Sequence, residues 1–132
     1  MTATTQPQPA PDPGMMGPET IPMTPAQESL LQQIRETIIR EVHPQLIVLF
    51  GSRARGEATE DSDWDFLIVG EADPAEGRRH RLGRLYCALE GVPVSKDLLM
   101  YTPDEVETWR GARNHIIARA LREGRILYER AS

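Results

Sequence analysis

Leu46–Val69 reads LIVLFGSRARGEATEDSDWDFLIV, and the order of its parts decides the fold. Leu46 to Phe50 is a continuous apolar run of strand length, the pattern of a central strand covered on both faces. Gly51-Ser52 then interrupts it. A glycine after a strand lets the chain turn with its amides exposed, and admits a phosphate chain where a Cβ would clash. Ten residues later, Asp63-Trp64-Asp65 leads into a second apolar strand that runs to Val69. Alternate strand residues share a face, so the Cβ atoms of Asp63 and Asp65 fall roughly 6 to 7 Å apart, close enough to hold a divalent metal. Each half also has a plainer reading. Gly51-Ser52 fits an ordinary turn, and Asp63 with Asp65 fits a solvated strand end.

The strand after the two acids favours the metal. Phe66-Leu67-Ile68-Val69 is apolar on both faces, which puts Asp63 and Asp65 at the rim of the sheet. Like charges crowded there call for a counter-ion. Magnesium suits the position, since it takes oxygen ligands and binds through one or two carboxylates plus substrate phosphates. Ser52 offers a hydroxyl donor, with Arg53 and Arg55 in reach of the same anion. The two arginines fit surface pairing with Glu57, Glu60 or Asp61 equally well.

Working outward, Thr24-Pro25-Ala26-Gln27 starts a helix, with Thr24 as N-cap, Pro25 in the first turn and Gln27 closing a capping box. Leu30, Leu31, Ile34, Ile38 and Val42 repeat at helical spacing until His43-Pro44 ends the run. Glu71 to Gly77 is a turn, and Arg78 to Glu90 a helix expected to face Leu82, Leu85, Tyr86 and Leu89 inward. Cys87, the only cysteine, is expected to be a buried free thiol in that stretch. A third strand covers Val94 to Tyr101, with Ser95, Asp97, Leu99 and Tyr101 on one face. Thr102-Pro103-Asp104-Glu105 repeats the capping box and opens a helix through Val106, Trp109, Ile116, Ile117 and Leu121 that Gly124 terminates. Arg125 to Tyr128 adds a short edge strand. The outcome is an α/β (or α+β) domain built on a small sheet of three to four strands flanked by helices.

Of 132 residues, 1–24 are rich in proline and carry no Lys or Arg, and are expected to form a disordered tail; 25–132 form the single domain. No signal peptide or apolar span is present, so no membrane association and a cytoplasmic location are expected. The net charge of -5 argues against a general nucleic-acid binder. Arg78, Arg79, His80, Arg81 and Arg84 could track phosphates along one helix face, though a solvated charged face is commoner. Arg110 and His115 have the Arg-x4-His spacing of helical HEPN ribonucleases, but a chain with three strands cannot adopt that bundle. Asp97 completes the acidic set if the third strand lies beside the second. An acid in an otherwise apolar strand is costly unless paired or metal-bound, and Lys96 points to the opposite face.

Gly51-Ser52, ten intervening residues, Asp63-Trp64-Asp65 and the third acid at Asp97 together resemble the signature of the minimal nucleotidyltransferases, small members of the polymerase-β-like superfamily. The similarity extends through Arg53-Ala54-Arg55-Gly56, Ser62, Glu123-Gly124 and Leu127-Tyr128, and covers Pro25 to Glu129. It implies the nucleotidyltransferase fold, with a mixed sheet, two Mg2+ ions and ATP as donor. Asp63 and Asp65 would then hold the metals, Gly51 and Ser52 the triphosphate, and Asp97 the acceptor hydroxyl, as metal ligand and base. Members of this family are often antitoxins that transfer AMP to a tyrosine of a HEPN-domain toxin. Two alternatives stay open at this level: a catalytically idle antitoxin that binds its partner sterically, and nucleotidyl transfer to a small molecule or RNA.

Overall fold

The computed structural model describes residues 23–55 and 63–130. The expectations for the tail up to Pro22, for Gly56 and Ser62, and for Glu57, Glu60 and Asp61 as ion-pair partners lie outside those residues. Nine elements follow in order: α1 (Pro25–Val42), β1 (Leu46–Phe50), α2 (Ser52–Arg55), β2 (Trp64–Val69), α3 (Arg78–Ala88), β3 (Lys96–Tyr101), α4 (Pro103–Trp109), α5 (Ile116–Glu123) and β4 (Arg125–Glu129). The four strands form one mixed sheet in the order β3-β2-β1-β4. β1 pairs antiparallel with both β2 and β4, and β2 pairs parallel with β3.

Local chemistry sets the helix starts. Thr24 accepts the Gln27 amide at 3.1 Å while Gln27 accepts the Thr24 amide at 2.9 Å, the reciprocal box expected from sequence. Thr102 and Glu105 repeat it at 3.2 and 2.8 Å. α1 ends at His43, which takes a left-handed conformation (φ 49°) just before Pro44.

Two apolar layers cover the sheet. On one face Ile47, Leu49, Trp64, Phe66 and Ile68 pack with Leu31, Ile34 and Ile38 of α1 and Leu85 of α3. On the other, Val48, Phe50, Leu67 and Val69 pack with Val106 of α4 and with Ile117 and Ala120 of α5. Asp65 and Asp97 alternate with residues of the first layer and therefore project to the α4/α5 side.

Four expectations need correction. The last long helix is two: residues 110–115 leave the helical path, and His115 restarts it by accepting the Ile117 amide on Nδ1 at 3.1 Å. Trp109, at the end of α4, stacks on the His115 ring with centroids 4.4 Å apart and is exposed. Tyr86 and Cys87 are exposed, because Leu85 and Leu89 fix the inward stripe of α3 and Tyr86 lies at its margin. β2 and β3 begin at Trp64 and Lys96, so Asp63 belongs to the lead-in of its strand.

Candidate active site

The antiparallel register explains why a glycine and an acid separated in sequence meet. Phe50, the last residue of β1, pairs with Asp65 near the start of β2, so the turn at Gly51 falls beside the Asp65 carboxylate. Gly51 has φ +79°, a region that favours glycine. A Cβ built there would overlap Asp65 Oδ2 and lie 3.3 Å from its Cγ. Ser52 follows as the first residue of α2, and the Ala54 amide donates back to the Gly51 carbonyl at 3.1 Å.

The parallel pairing supplies the second acid. β2 and β3 run in the same direction with Asp65 directly opposite Asp97, so both carboxylates leave the same face at the same rim. Asp63 precedes the strand by one residue and is exposed.

α5 closes the other side. Ile116, Arg119 and Glu123 recur at helical spacing and line a cleft of about 350 Å³ together with Phe50, Gly51, Ser52, Asp65 and Asp97. Gly124 lets the end of α5 lie flat on β1: a Cβ there would collide with the Val48 side chain and sit 2.9 Å from the Leu49 carbonyl. Arg119 and Glu123 are held over the strand ends by that close approach.

The structure thus gathers Gly51, Ser52, Asp65 and Asp97 from the sequence-derived set. Asp63 stands at the lead-in, and no group of three Asp, Glu, His or Cys side chains converges among the described residues. Arg53 turns to the other face of the sheet, its guanidinium 5.2 Å from the centre of the Trp64 ring. Arg119 was not singled out from sequence. Its only signal is its place three residues after Ile116 and four before Glu123 on one helix face, which reads as a solvated charge until the sheet beneath it is known.

Three of the arginines of α3, Arg78, Arg81 and Arg84, are occupied internally. Arg84 bonds Glu76 at 2.8 and 3.0 Å and Glu41 at 2.8 Å; Arg78 grips both Glu105 oxygens at 2.8 Å; and buried Arg81 donates to the Glu71 carbonyl at 3.0 Å. The Arg84 pair, with a smaller contribution from His80, lowers the Glu76 carboxyl from the ordinary 4.5 to about 2. Beside Asp97, burial pushes the Tyr86 phenol above its ordinary value, opposed by the Leu98 amide it accepts.

Comparison with known proteins identifies the fold and the reaction class. The family model described as polymerase beta, nucleotidyltransferase matches residues 32–132. A 27-residue stretch is 67% identical to a "putative protein adenylyltransferase" of Methanocaldococcus jannaschii, spanning 20% of this chain and 27% of that relative. Among solved structures, a "putative nucleotidyltransferase" from Sulfolobus solfataricus superposes with TM-score 0.54 at 20% identity over 77% of this chain and 79% of its own. The crystal structure of a toxin-antitoxin with AMP-PNP superposes with TM-score 0.50 at 22% identity, covering 75% and 73%. No helix among the described residues is long and apolar enough to cross a membrane. With its four-stranded mixed sheet and a family match over most of its length, this chain belongs to the polymerase-β-type nucleotidyltransferases.

Proposed function

We propose that this nucleotidyltransferase transfers AMP from ATP to a protein hydroxyl, a tyrosine of a cognate HEPN-domain toxin, and acts as the antitoxin of that pair. The observation that carries the reading is the in-register pair Asp65 and Asp97 beside a glycine turn in one cleft. Support for a protein acceptor and a toxin partner comes from the adenylyltransferase relative and the toxin-antitoxin neighbour.

The donor set is all carboxylate oxygen, which fits magnesium. Asp63, Asp65 and Asp97 would hold two Mg2+ ions, which supply charge neutralisation to the triphosphate and the leaving pyrophosphate. The rest is done by the chain. Gly51 lets the phosphates approach the backbone, and the Ser52 hydroxyl donates to them. Arg119 can present two parallel N–H donors to the same oxygens from α5. Asp97 takes the proton of the attacking hydroxyl, so that its oxygen can displace pyrophosphate from the α-phosphorus. The cleft walls fix the two reactants in line, where positioning contributes most of the rate.

Incubation of the purified chain with a HEPN-domain partner, magnesium and ATP labelled in the α-phosphate should label the partner, and Asp63→Ala should abolish it. Labelling that survives the substitution would sink the assignment.

A further inference from the structure

We infer that Tyr86 is itself an acceptor: its hydroxyl can take AMP from ATP at the neighbouring cleft, so the chain adenylylates its own α3. This rests on the reading above, in which Asp97 serves the acceptor hydroxyl. Tyr86 reaches round the outer edge of β3, the terminal strand of the sheet. Its Oη accepts the Leu98 N–H at 2.8 Å and lies 3.5 Å from Asp97 Oδ1. The amide occupies one lone pair of the oxygen and fixes its position; a second lone pair remains for attack, and Asp97 is the carboxylate its proton can reach. Tyr86 is 39% exposed, open to a nucleotide in solution.

The chain has three tyrosines, and the other two lie away from the acids. Tyr101 is at the far end of β3, four residues and roughly 13 Å from Asp97 along the strand. Tyr128 pairs with Ile47 on the opposite side of the sheet, beneath Arg35. Only Tyr86 combines the acceptor chemistry proposed for this enzyme with placement at its acidic rim. An acceptor tethered at that rim also avoids the entropy of binding a second molecule.

The step balances without a redox partner. Tyr86 Oη attacks the α-phosphorus, the Oη–P bond forms, and the bond from that phosphorus to the bridging oxygen breaks. Its electron pair leaves on pyrophosphate, and the phenolic proton passes to Asp97. The product is a tyrosine–AMP phosphodiester. Its ester oxygen is a poorer acceptor for Leu98, and its new negative charge stands beside Asp97, so the modified chain carries an altered β3 edge.

The full chain should be incubated with ATP and magnesium alone, then weighed intact and mapped by tandem mass spectrometry. One AMP on Tyr86 is expected, absent in Tyr86→Phe and in Asp63→Ala. The modified chain should also exchange its Leu98 amide about five- to tenfold faster, the loss of one ordinary hydrogen bond. Urea unfolding of Tyr86→Phe establishes that the variant is folded. A chain that labels its partner while Tyr86 stays unmodified overturns self-adenylylation and leaves the proposed function standing. If Tyr86→Phe then slows transfer to the partner, Tyr86 only positions Asp97, and the inference is likewise overturned. An adduct on Tyr101 or Tyr128 overturns it too. Transfer to neither acceptor overturns both readings.

Discussion

Replacing Gly51 separates what the turn does for stability from what it does for the site. Two effects are built into Gly51→Ala. The first is backbone strain: at φ +79° an L side chain is disfavoured, which costs about 1 to 2 kcal/mol. For a domain of this size that lowers Tm by about 4 to 16 °C. The second is steric: the new methyl overlaps Asp65 Oδ2, so the carboxylate has to move. That displacement moves a carboxylate opposite Asp97. A misplacement of about 1 Å at a reacting centre costs on the order of a hundredfold in rate. Gly51→Asn divides the two effects, because asparagine tolerates a left-handed backbone yet still carries a Cβ. It should recover the part of the lost Tm that comes from backbone strain and stay as slow as the alanine variant. Thermal unfolding followed by circular dichroism and ATP-dependent pyrophosphate release measure the two quantities on one preparation. An asparagine variant with wild-type turnover would show that contact with Asp65 is irrelevant to the chemistry.

Further outcomes follow from named interactions. The Glu76 carboxyl titrates at about 2 in the folded chain against an ordinary 4.5, so its ion pair with Arg84 stabilises fully above about 4.5 and is lost as pH falls toward 2. Urea midpoints taken across that window should fall less steeply in Glu76→Gln, while Glu28 and Glu105, also lowered by arginine partners, preserve part of the slope; an unchanged slope refutes the role. Thr102→Ala removes the cap of α4 and should cost about 1 kcal/mol, read as a lower urea midpoint at constant m, with no deficit counting against the capping box.

Features written in short-range pattern were legible before any coordinates. Both capping boxes, the apolar runs of β1 and β2, and the glycine that ends β1 depend on neighbours within a few residues. Features set by long-range geometry were not. Tyr86 fits the inward stripe by count, yet Leu85 and Leu89 fill the space under α3 and leave it to wrap the β3 edge. The basic run Arg78 to Arg84 suggested a phosphate track, whereas Glu41, Glu71, Glu76 and Glu105 arrive from three other segments to occupy it. The break between α4 and α5 is hidden in the sequence because Trp109 and Ile116 continue an apolar period across it, and the folded chain exposes both.

Arg119 marks the limit most sharply, and charge explains why it matters. Among the described residues, the carboxylates of Asp65, Asp97 and Glu123 and the guanidinium of Arg119 line the cleft. Two unit charges 5 Å apart interact by about 3 kcal/mol at an effective dielectric constant of about 20. A triphosphate entering that cleft meets several such repulsions, and a charge-assisted bond to one arginine returns only about 1.5 to 3 kcal/mol. In the function proposed above, divalent ions that the carboxylates attract would supply the balance. Under the proposed reading the acidic crowding is both the obstacle to the substrate and the means of admitting it. Under that reading Arg119 would contribute direction more than affinity: a guanidinium reaching in from α5 would favour which phosphate oxygens face away from Asp97, and so which face of the α-phosphorus is left open to an incoming hydroxyl.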